Sequence, residues 1–477
     1  MQGRTHQWLV WTLTITAVVG FSATAWGQGH LPPMSYQAPG ADGYMVSSNT
    51  FNAGDSGDRL ADLESKVAAL DKAAADAKKK AAGKPSVKVG GRIQADWAVF
   101  DQSANNVASY GYWGDRNEFR RARIFLSGEA FHVVDYKLQM DFADNPSTPS
   151  DGSIYTGAIQ STSFKDVYIT IKELPWIGHL RVGHFKEPFG LEQITSARYI
   201  TFMERSLCDE NAIVPARNTG VMAFDHSENE RMTWAIGAFK SEMGTEPPIR
   251  RNAFEGGTAV TMRTTFLPWY DEATEGRGLL HTGVAYSYRE IDDHTVQLRM
   301  QPESHLAETI LDTGAFPADD WQIAGGELAF VYGPFSVQSE VFGAWIDSPT
   351  LGTVEYNGGY AYVSYFLTGE NRPYKRTAGA FDRVKPYENF FRVRDENGNV
   401  QMGKGAWEIA YRYSTLDLID AQVGGRAHNH TVGLNWYLNP YTRLMLNYVN
   451  SNINAAHRQT PGRGTVDIYE MRAQIDF

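Results

Sequence analysis

The chain has 477 residues and a formal net charge of -11 at pH 7, which argues against a nucleic-acid partner. Beyond residue 27, no apolar run approaches the roughly 18 residues that a membrane helix needs. The single cysteine, Cys208, cannot form an intramolecular disulfide. The 24 Tyr, 24 Phe and 12 Trp fit strands that carry aromatic girdles. Length and composition therefore allow two or three soluble domains or one large β-barrel.

Residues 1–27 have the pattern of a secretory signal peptide. Arg4 supplies the positive charge, a mostly apolar core follows, and small residues at 23–25 form a cleavage site. Cleavage after Ala25 and cleavage after Gly27 both fit this pattern. The pattern predicts export, with a short membrane anchor as the alternative.

Residues 28–57 are rich in Gly, Pro, Ser and Ala and are predicted to form a flexible linker. Over 58–83 the apolar spacing becomes 3-4-3-4-3, the register of a short coiled-coil helix. This helix would promote a homotrimer or contact other envelope layers; a solvated amphipathic helix is the alternative. The apolar positions are Leu60, Leu63, Val67, Leu70, Ala74 and Ala77.

From residue 86 to residue 477 the chain consists of strand-like segments. In the last of them, Tyr469 and Phe477 share one face with other apolar residues, while Arg472 and Asp476 share the opposite face. This strand would close a barrel with one face in lipid, Tyr469 and Phe477 being the closing residues. We predict an all-β transmembrane antiparallel barrel of about sixteen strands, fourteen or eighteen being the alternatives. The candidate strands are 87–100, 117–131, 135–142, 166–171, 179–187, 218–226, 230–241, 256–267, 279–290, 321–333, 334–347, 356–369, 405–417, 428–439, 441–452 and 465–477.

The predicted connections alternate in length, which is typical of an outer-membrane barrel. Short turns such as 332–335 and 438–441 fall on the side of the chain termini. The long connections 188–217 and 291–320 fall on the opposite side. The segment 370–402 is an exception, because it is long and is predicted on the side of the short turns.

Four stretches resemble the phosphate-selective porin O/P family: FRRARIFLSG at 119–128, VGHFKEPFGLE at 182–192, TGENRPY at 368–374 and GLNWYLNP at 433–440. The resemblance covers 86–477. It implies a trimer of sixteen-stranded barrels in the outer membrane of a Gram-negative cell, in contact with its lipids. It also implies a lumen that is narrowed by inward loops, lined with Arg and Lys, and permeable to small anions such as phosphate.

Alternation along the second strand predicts which cations face the lumen. Arg121 and Arg123 lie opposite the apolar residues and should point inward, whereas Arg120 shares the lipid-side parity. Arginine suits anion selection because it is always charged and its fork matches phosphate oxygens. The alternative is an ordinary porin lumen of mixed charge. By the same parity Lys137, Arg181 and Arg263 face inward, together with the acids Glu129, Asp141 and Asp166.

Two long connections are predicted to narrow the pore. The segment 370–404 carries eight basic and five acidic residues, a local +3 against the negative charge of the whole chain. The connection 188–217 is more balanced, so it indicates a constriction more than a sign of selectivity. A solvated periplasmic loop is the alternative for the first segment. The candidate constriction residues are Arg198, Arg205, Arg217, Arg372, Lys375, Arg376, Arg383 and Lys385.

Enzyme signatures are missing from the sequence: it has no Gly-rich phosphate loop, metal-spaced Cys/His cluster or nucleophile elbow. His428 and His430 share one strand face without further ligands nearby, which favours a structural role. We therefore predict a porin without cofactor or metal. A general diffusion porin and a structural barrel tethered through its coiled coil are the alternatives.

Overall fold

A computed structural model describes residues 85–143, 162–208, 212–241, 257–291, 295–394, 398–420, 424–455 and 462–477, with five helical residues at 65–67, 69 and 72. The chain divides into two compact units, Met1–Ala73 and Ala74–Phe477, and the barrel belongs to the second. The predicted signal peptide (1–27), the linker (28–57) and the rest of the coiled-coil segment (58–83) lie outside the described residues. The coiled coil therefore stays a prediction.

Sixteen antiparallel strands of the described chain close into one barrel, each pairing with the next in sequence. The predicted fold class and strand number are confirmed. The strands are β1 (Lys88–Gln102), β2 (Arg116–Ala130), β3 (Val134–Asp141), β4 (Ser163–Leu174), β5 (Gly178–Lys186), β6 (Arg217–His226), β7 (Met232–Ser241), β8 (Gly257–Tyr270), β9 (Gly278–Glu290), β10 (Asp320–Tyr332), β11 (Phe335–Ser348), β12 (Gly352–Phe366), β13 (Ala406–Asp417), β14 (Gly425–Asn439), β15 (Thr442–Ala455) and β16 (Gly462–Asp476).

Smaller elements lie in the connections. Helix α1 (Ala104–Tyr110) begins after Ser103, whose hydroxyl accepts a hydrogen bond from the Asn106 backbone N–H. Across the described ranges, no helix is both long and apolar enough to cross a membrane. The remaining elements are helix α2 (Leu191–Ile194), the 3₁₀ turns Glu272–Thr274 and Arg376–Ala378, and the paired segments Thr295–Val296 with Phe316–Pro317, Arg299–Met300 with Leu311–Asp312, Tyr374–Lys375 with Ala380–Phe381, and Phe391–Arg394 with Val400–Gly403.

The two faces of β16 show why this sequence forms a barrel wall. Tyr469 and Ile475 point outward and are 53% and 45% exposed. Arg472 and Gln474 point into the lumen and are buried. An apolar outer face and a polar inner face are stable together only where lipid lies outside and water or polar protein inside.

The barrel closes where β1 pairs with β16, from Arg92 opposite Asp476 to Gln102 opposite Val466. Phe477 extends this ladder, because its backbone N–H donates to Gly91 O at 3.1 Å and its carbonyl accepts from Gly91 N at 2.8 Å. A Cβ atom on Gly91 would lie 2.5 Å from the Phe477 ring and 2.6 Å from the Arg123 carbonyl oxygen. The close approach of these two strands therefore requires glycine.

The strand order separates the connections into two ends. The turn end carries the short connections 131–133, 175–177 and 333–334 and also the long segment 367–405. The loop end carries the long connections 187–216 and 291–319. The long segment thus lies on the side that the sequence predicts, and short turns identify this end as periplasmic.

The prediction for Arg120 is wrong. The register of β1 and β2 shifts between Gln94, opposite Arg121, and Ala95, opposite Phe119, so that Arg120 is the extra residue of a β-bulge. Beyond a bulge, the residues that alternation assigns to one face of the strand point to the other face. Simple alternation therefore cannot predict the orientation of Arg120. Arg120 points into the lumen, where its Nε donates to Glu204 Oε1 at 2.9 Å.

Replacing Phe477 with Glu should reduce assembly, because it places a charge at the lipid-facing end of the closing ladder. The measurement is the yield of heat-modifiable barrel in the outer-membrane fraction. Phe142→Glu is the control, since Phe142 is also outward and 51% exposed but follows β3, outside the closing strand pair. A wild-type yield for Phe477→Glu would count against the closing role.

Candidate pore and its constriction

The connection 187–216, here called the inner loop, folds into the lumen. Its residues Phe202, Met203 and Leu207 are at most 1% exposed. A buried loop must have its backbone carbonyls paired, and wall side chains supply the donors. Gln94 donates to Ala197 O, Arg412 to Glu204 O, Asn435 to Thr201 O, Arg443 to Ile200 O and Arg472 to Met203 O.

Glu204 anchors the inner loop to the strands on both sides of the barrel closure. Its carboxylate accepts from Arg120 Nε at 2.9 Å and from Arg472 Nη2 at 2.6 Å, and Arg121 Nη1 lies 3.8 Å away. Burial opposes the charged form, but these arginines outweigh it and hold the pKa of Glu204 well below its usual range. The anchor is therefore charged at neutral pH.

Two further carboxylates hold the beginning of the inner loop. Glu340 of β11 accepts from the backbone N–H groups of Leu191 and Glu192 at 2.6 and 2.8 Å. Glu187 accepts from both Nη atoms of Arg289 at 2.8 Å. Burial of Glu187 opposes its charge, yet Arg289 and the hydrogen bonds keep its pKa below the ordinary value. The loop is thus fixed by ionic and backbone contacts to several strands.

The segment 367–405, here called the turn-end segment, folds back onto the lumen wall. Gly379 O accepts from Arg263 Nη2 at 2.8 Å, and the Tyr374 hydroxyl lies 2.6 Å from His281 Nδ1. Gly379 has φ +57, and a Cβ there would lie 2.8 Å from Thr265 Oγ1. This contact brings residues 375–378 to the edge of the open lumen.

Between the inner loop, the turn-end segment and strands β1–β8 lies a cavity of about 570 Å³. Eight arginines and four lysines line it against three aspartates. The cations are Arg92, Arg121, Arg123, Lys137, Lys172, Arg181, Lys186, Arg198, Arg205, Arg217, Arg263 and Lys375, and the acids are Asp135, Asp166 and Asp225.

The structure brings many of the predicted site residues together at this cavity. All five predicted lumen cations, Arg121, Arg123, Lys137, Arg181 and Arg263, line it. Of the predicted constriction residues, Arg198, Arg205, Arg217 and Lys375 also line it, whereas Arg372, Arg376, Arg383 and Lys385 do not.

The four constriction residues away from the cavity lie elsewhere on the turn-end segment. Arg372 is buried and its guanidinium carbon lies 3.7 Å from the Phe381 ring centroid. Arg376 pairs with Glu272 at 2.8 Å, and Arg383 pairs with Asp476. Lys385 is exposed. The three arginines attach the segment to itself or to the barrel.

The cavity cations fall into two groups by their partners. Arg123 pairs with Asp141 at 2.5 Å, Lys137 with Asp166 at 2.6 Å, and Arg263 with Glu327 at 2.7 Å. In the described part of the chain, Arg92 and Arg181 have no carboxylate partner, and the buried Arg92 Nη1 has no hydrogen-bond partner. The second group therefore carries positive charge that no described carboxylate neutralises.

Sequence reasoning missed Arg92, Lys172 and Lys186. The signal for Arg92 was present, because it shares the polar parity of Gln94 and Asp96 in β1. Lys186 lies at the end of β5 and donates to Thr195 O at 3.3 Å. Strand parity cannot reveal this contact, because Thr195 belongs to the inner loop.

Among the described residues, His179, Asp225 and His226 form one group that could hold a metal ion, with ligand atoms within 4.8 Å of one another. His179 Nδ1 accepts from the Glu173 backbone N–H at 3.3 Å, and Asp225 Oδ1 lies 3.8 Å from His179 Nε2. The 3.8 Å separation is wider than the roughly 3.4 Å between two nitrogen or oxygen ligands of a tetrahedral zinc ion. His430 contacts Tyr411 on the outer face of the barrel, at 2.6 Å.

A closed sixteen-stranded barrel with an apolar outer belt and an inward-folded loop is the architecture of an outer-membrane porin. The chain belongs to the family of phosphate-selective porins O and P, whose profile matches residues 87–477. It is therefore a channel of the outer membrane of Gram-negative cells.

Two relatives and one solved structure are similar to this chain. Porin O of Pseudomonas aeruginosa is 28% identical over 399 residues, which cover 76% of this chain and 82% of the relative. An uncharacterised protein of Caulobacter vibrioides is 26% identical over 416 residues, covering 83% and 75%. The outer-membrane channel DcaP of Acinetobacter baumannii has a TM-score of 0.49 and 12% identity, covering 83% of this chain and 98% of its own.

Glu204→Gln should loosen the inner loop, since it leaves Arg120, Arg121 and Arg472 without their shared carboxylate. Breaking a buried ion pair costs about 3–5 kcal/mol, so we expect earlier heat dissociation and a larger single-channel conductance. Glu355→Gln, at an exposed residue of β12, is the matched control. Unchanged conductance and melting in Glu204→Gln would contradict the anchoring role.

In the wild type, the Glu204 anchor should survive mild acid. Its pKa is lowered, so its stabilisation is lost only as the pH falls through that lowered value. The difference in single-channel conductance between wild type and Glu204→Gln should therefore be the same at pH 7 and pH 5.

Proposed function

We propose that this porin passes small anions, phosphate among them, through the basic cavity. The observation that carries the proposal is the lining of twelve cations against three aspartates, in a chain whose net charge is -11. A local excess of one sign between low-dielectric walls concentrates ions of the opposite sign and excludes ions of its own sign. A cavity of this kind favours anions over cations.

The paired and unpaired cations have different tasks in this proposal. Arg92 and Arg181 carry the open charge that attracts the anion, and Arg181 is held by a hydrogen bond to Thr170 Oγ1 at 3.0 Å. Arg263 has both carboxylate oxygens of Glu327 within 2.7 Å, so it positions the turn-end segment. The sign of the cavity therefore depends on its open arginines more than on its total count.

Passage requires binding that attracts the anion but also releases it. Arg121 and Arg123 are two residues apart on one strand, about 7 Å at a rise of about 3.3 Å per residue. An anion can transfer between such sites without losing all its donors. Arginine suits this transfer because each guanidinium group offers several N–H donors in fixed directions.

The double variant Arg92→Gln/Arg181→Gln should shift the reversal potential in a chloride gradient toward cations and weaken any phosphate block of chloride current by about tenfold. Each change removes an open charge without leaving a carboxylate unpaired. The measurement is a planar-bilayer recording of purified protein, and salt should weaken the effect through screening.

Arg426→Gln is the matched control for that recording. Arg426 is exposed on the outer face of β14 and pairs with Asp417, so its loss should leave selectivity unchanged. If the double variant selects and is blocked like wild type, these arginines are not the filter. A general diffusion porin then becomes the better interpretation, and absence of conductance would favour a structural barrel.

We also propose that the porin is a homotrimer surrounded by outer-membrane lipids, with residues 58–83 strengthening the trimer or contacting other envelope layers. Support comes from the heptad spacing and from the exposed apolar outer belt. Deleting 58–83 should leave a folded barrel whose trimer dissociates at a lower temperature in detergent. Unchanged dissociation, with loss of envelope integrity in cells, would assign these residues to a tether.

A further inference from the structure

One wall of the cavity is aromatic. Phe125 of β2, Tyr168 of β4, Phe185 of β5, and Met222 and Phe224 of β6 all line it. Strand parity places these side chains in the lumen, where a water-filled pore for an inorganic ion would carry polar groups. The cavity surface therefore combines cationic side chains with aromatic ones.

Buried neighbours on the same inner face support the aromatic wall. Phe185 is 2% exposed and packs edge-on against Phe239 at 5.6 Å between centroids, and against Tyr168 at 6.1 Å. Phe239 does not line the cavity. Tyr168 and Phe224 are only partly buried. The rings that meet the open space are therefore held in place by buried neighbours on the same inner face of the barrel.

Arg181 lies in the middle of this wall. Its guanidinium carbon is 4.1 Å from the Tyr168 ring centroid, 4.8 Å from that of Phe224 and 5.6 Å from that of Phe185. These rings restrict the guanidinium, and no described carboxylate pairs with it. A ligand that reaches this charge must also contact the rings.

The size of the cavity fits more than an inorganic ion. A volume of about 570 Å³ lies within the range of roughly 300–1,000 Å³ that pockets for small organic ligands have. A bare phosphate against the rings would lose water without gaining partners on that side. A flat apolar body would gain ring contacts in the same place.

We propose that this cavity binds organic anions best, with the anionic head at Arg181 and a flat apolar body against Tyr168 and Phe224. The ligand class is aryl phosphates and aryl carboxylates. This inference rests on the proposed anion passage and names the class of anion that the same cavity prefers.

The test measures block of chloride current by three compounds with the same phosphate head: phenyl phosphate, glycerol phosphate and inorganic phosphate. Phenyl phosphate should block at a concentration about three- to tenfold lower than the other two, the range expected for ring contacts. Glycerol phosphate controls for size, because its body is polar.

Phe224→Leu and Tyr168→Leu should each bring the blocking concentration of phenyl phosphate close to that of inorganic phosphate, both being measured in the same variant. Phe266→Leu is the control, since this ring of β8 faces outward and is 44% exposed. Heat-modifiable migration of each variant verifies folding, and two independent ring variants keep the test valid if one of them fails to assemble.

The outcomes separate the two proposals. Equal block by phenyl phosphate and inorganic phosphate in the wild type would overturn the organic-anion preference and leave anion passage standing. Block by none of the three compounds, with a cation-selective reversal potential, would overturn anion passage itself. A phenyl phosphate advantage that survives in both ring variants would also overturn the assignment to this wall.

Discussion

The constraint on which this structure depends is that backbone hydrogen bonds must be satisfied where no water is available. Sixteen strands meet it only when β1 pairs with β16. Closure leaves a polar inner surface facing a space too wide for wall side chains to fill, so the inner loop and the turn-end segment enter it. Arginines then pair with carboxylates across these layers, and the cavity is the volume that remains.

Period-two alternation was enough to predict the fold, because lipid and lumen impose opposite demands on neighbouring residues. It placed Arg121, Arg123 and Arg263 in the lumen, where the structure also has them. It failed for Arg120, because a bulge is a local change of register without a residue-type signal. It also could not reveal that Glu327 compensates Arg263, since these partners are 64 residues apart in sequence.

The aromatic wall also could not be predicted from any single strand. Each of Tyr168, Phe185 and Phe224 is unremarkable within its own strand, and only the order of neighbouring strands brings them around Arg181. A guanidinium among rings keeps its charge while it loses part of its hydration, and this changes which anions it serves well. In the proposed mechanism, the preference among anions therefore depends on the side chains that surround a cation.

The position of Glu204 has a consequence for the order of folding. Its two closest partners are Arg120, near the beginning of the barrel, and Arg472, near its end, and Arg472 also holds Asp96 of β1 at 2.6 Å. This anchoring site does not exist until the first and last strands have met, a contact of very high sequence separation. The inner loop can therefore reach its final position at Glu204, between Arg120 and Arg472, only in a closed barrel.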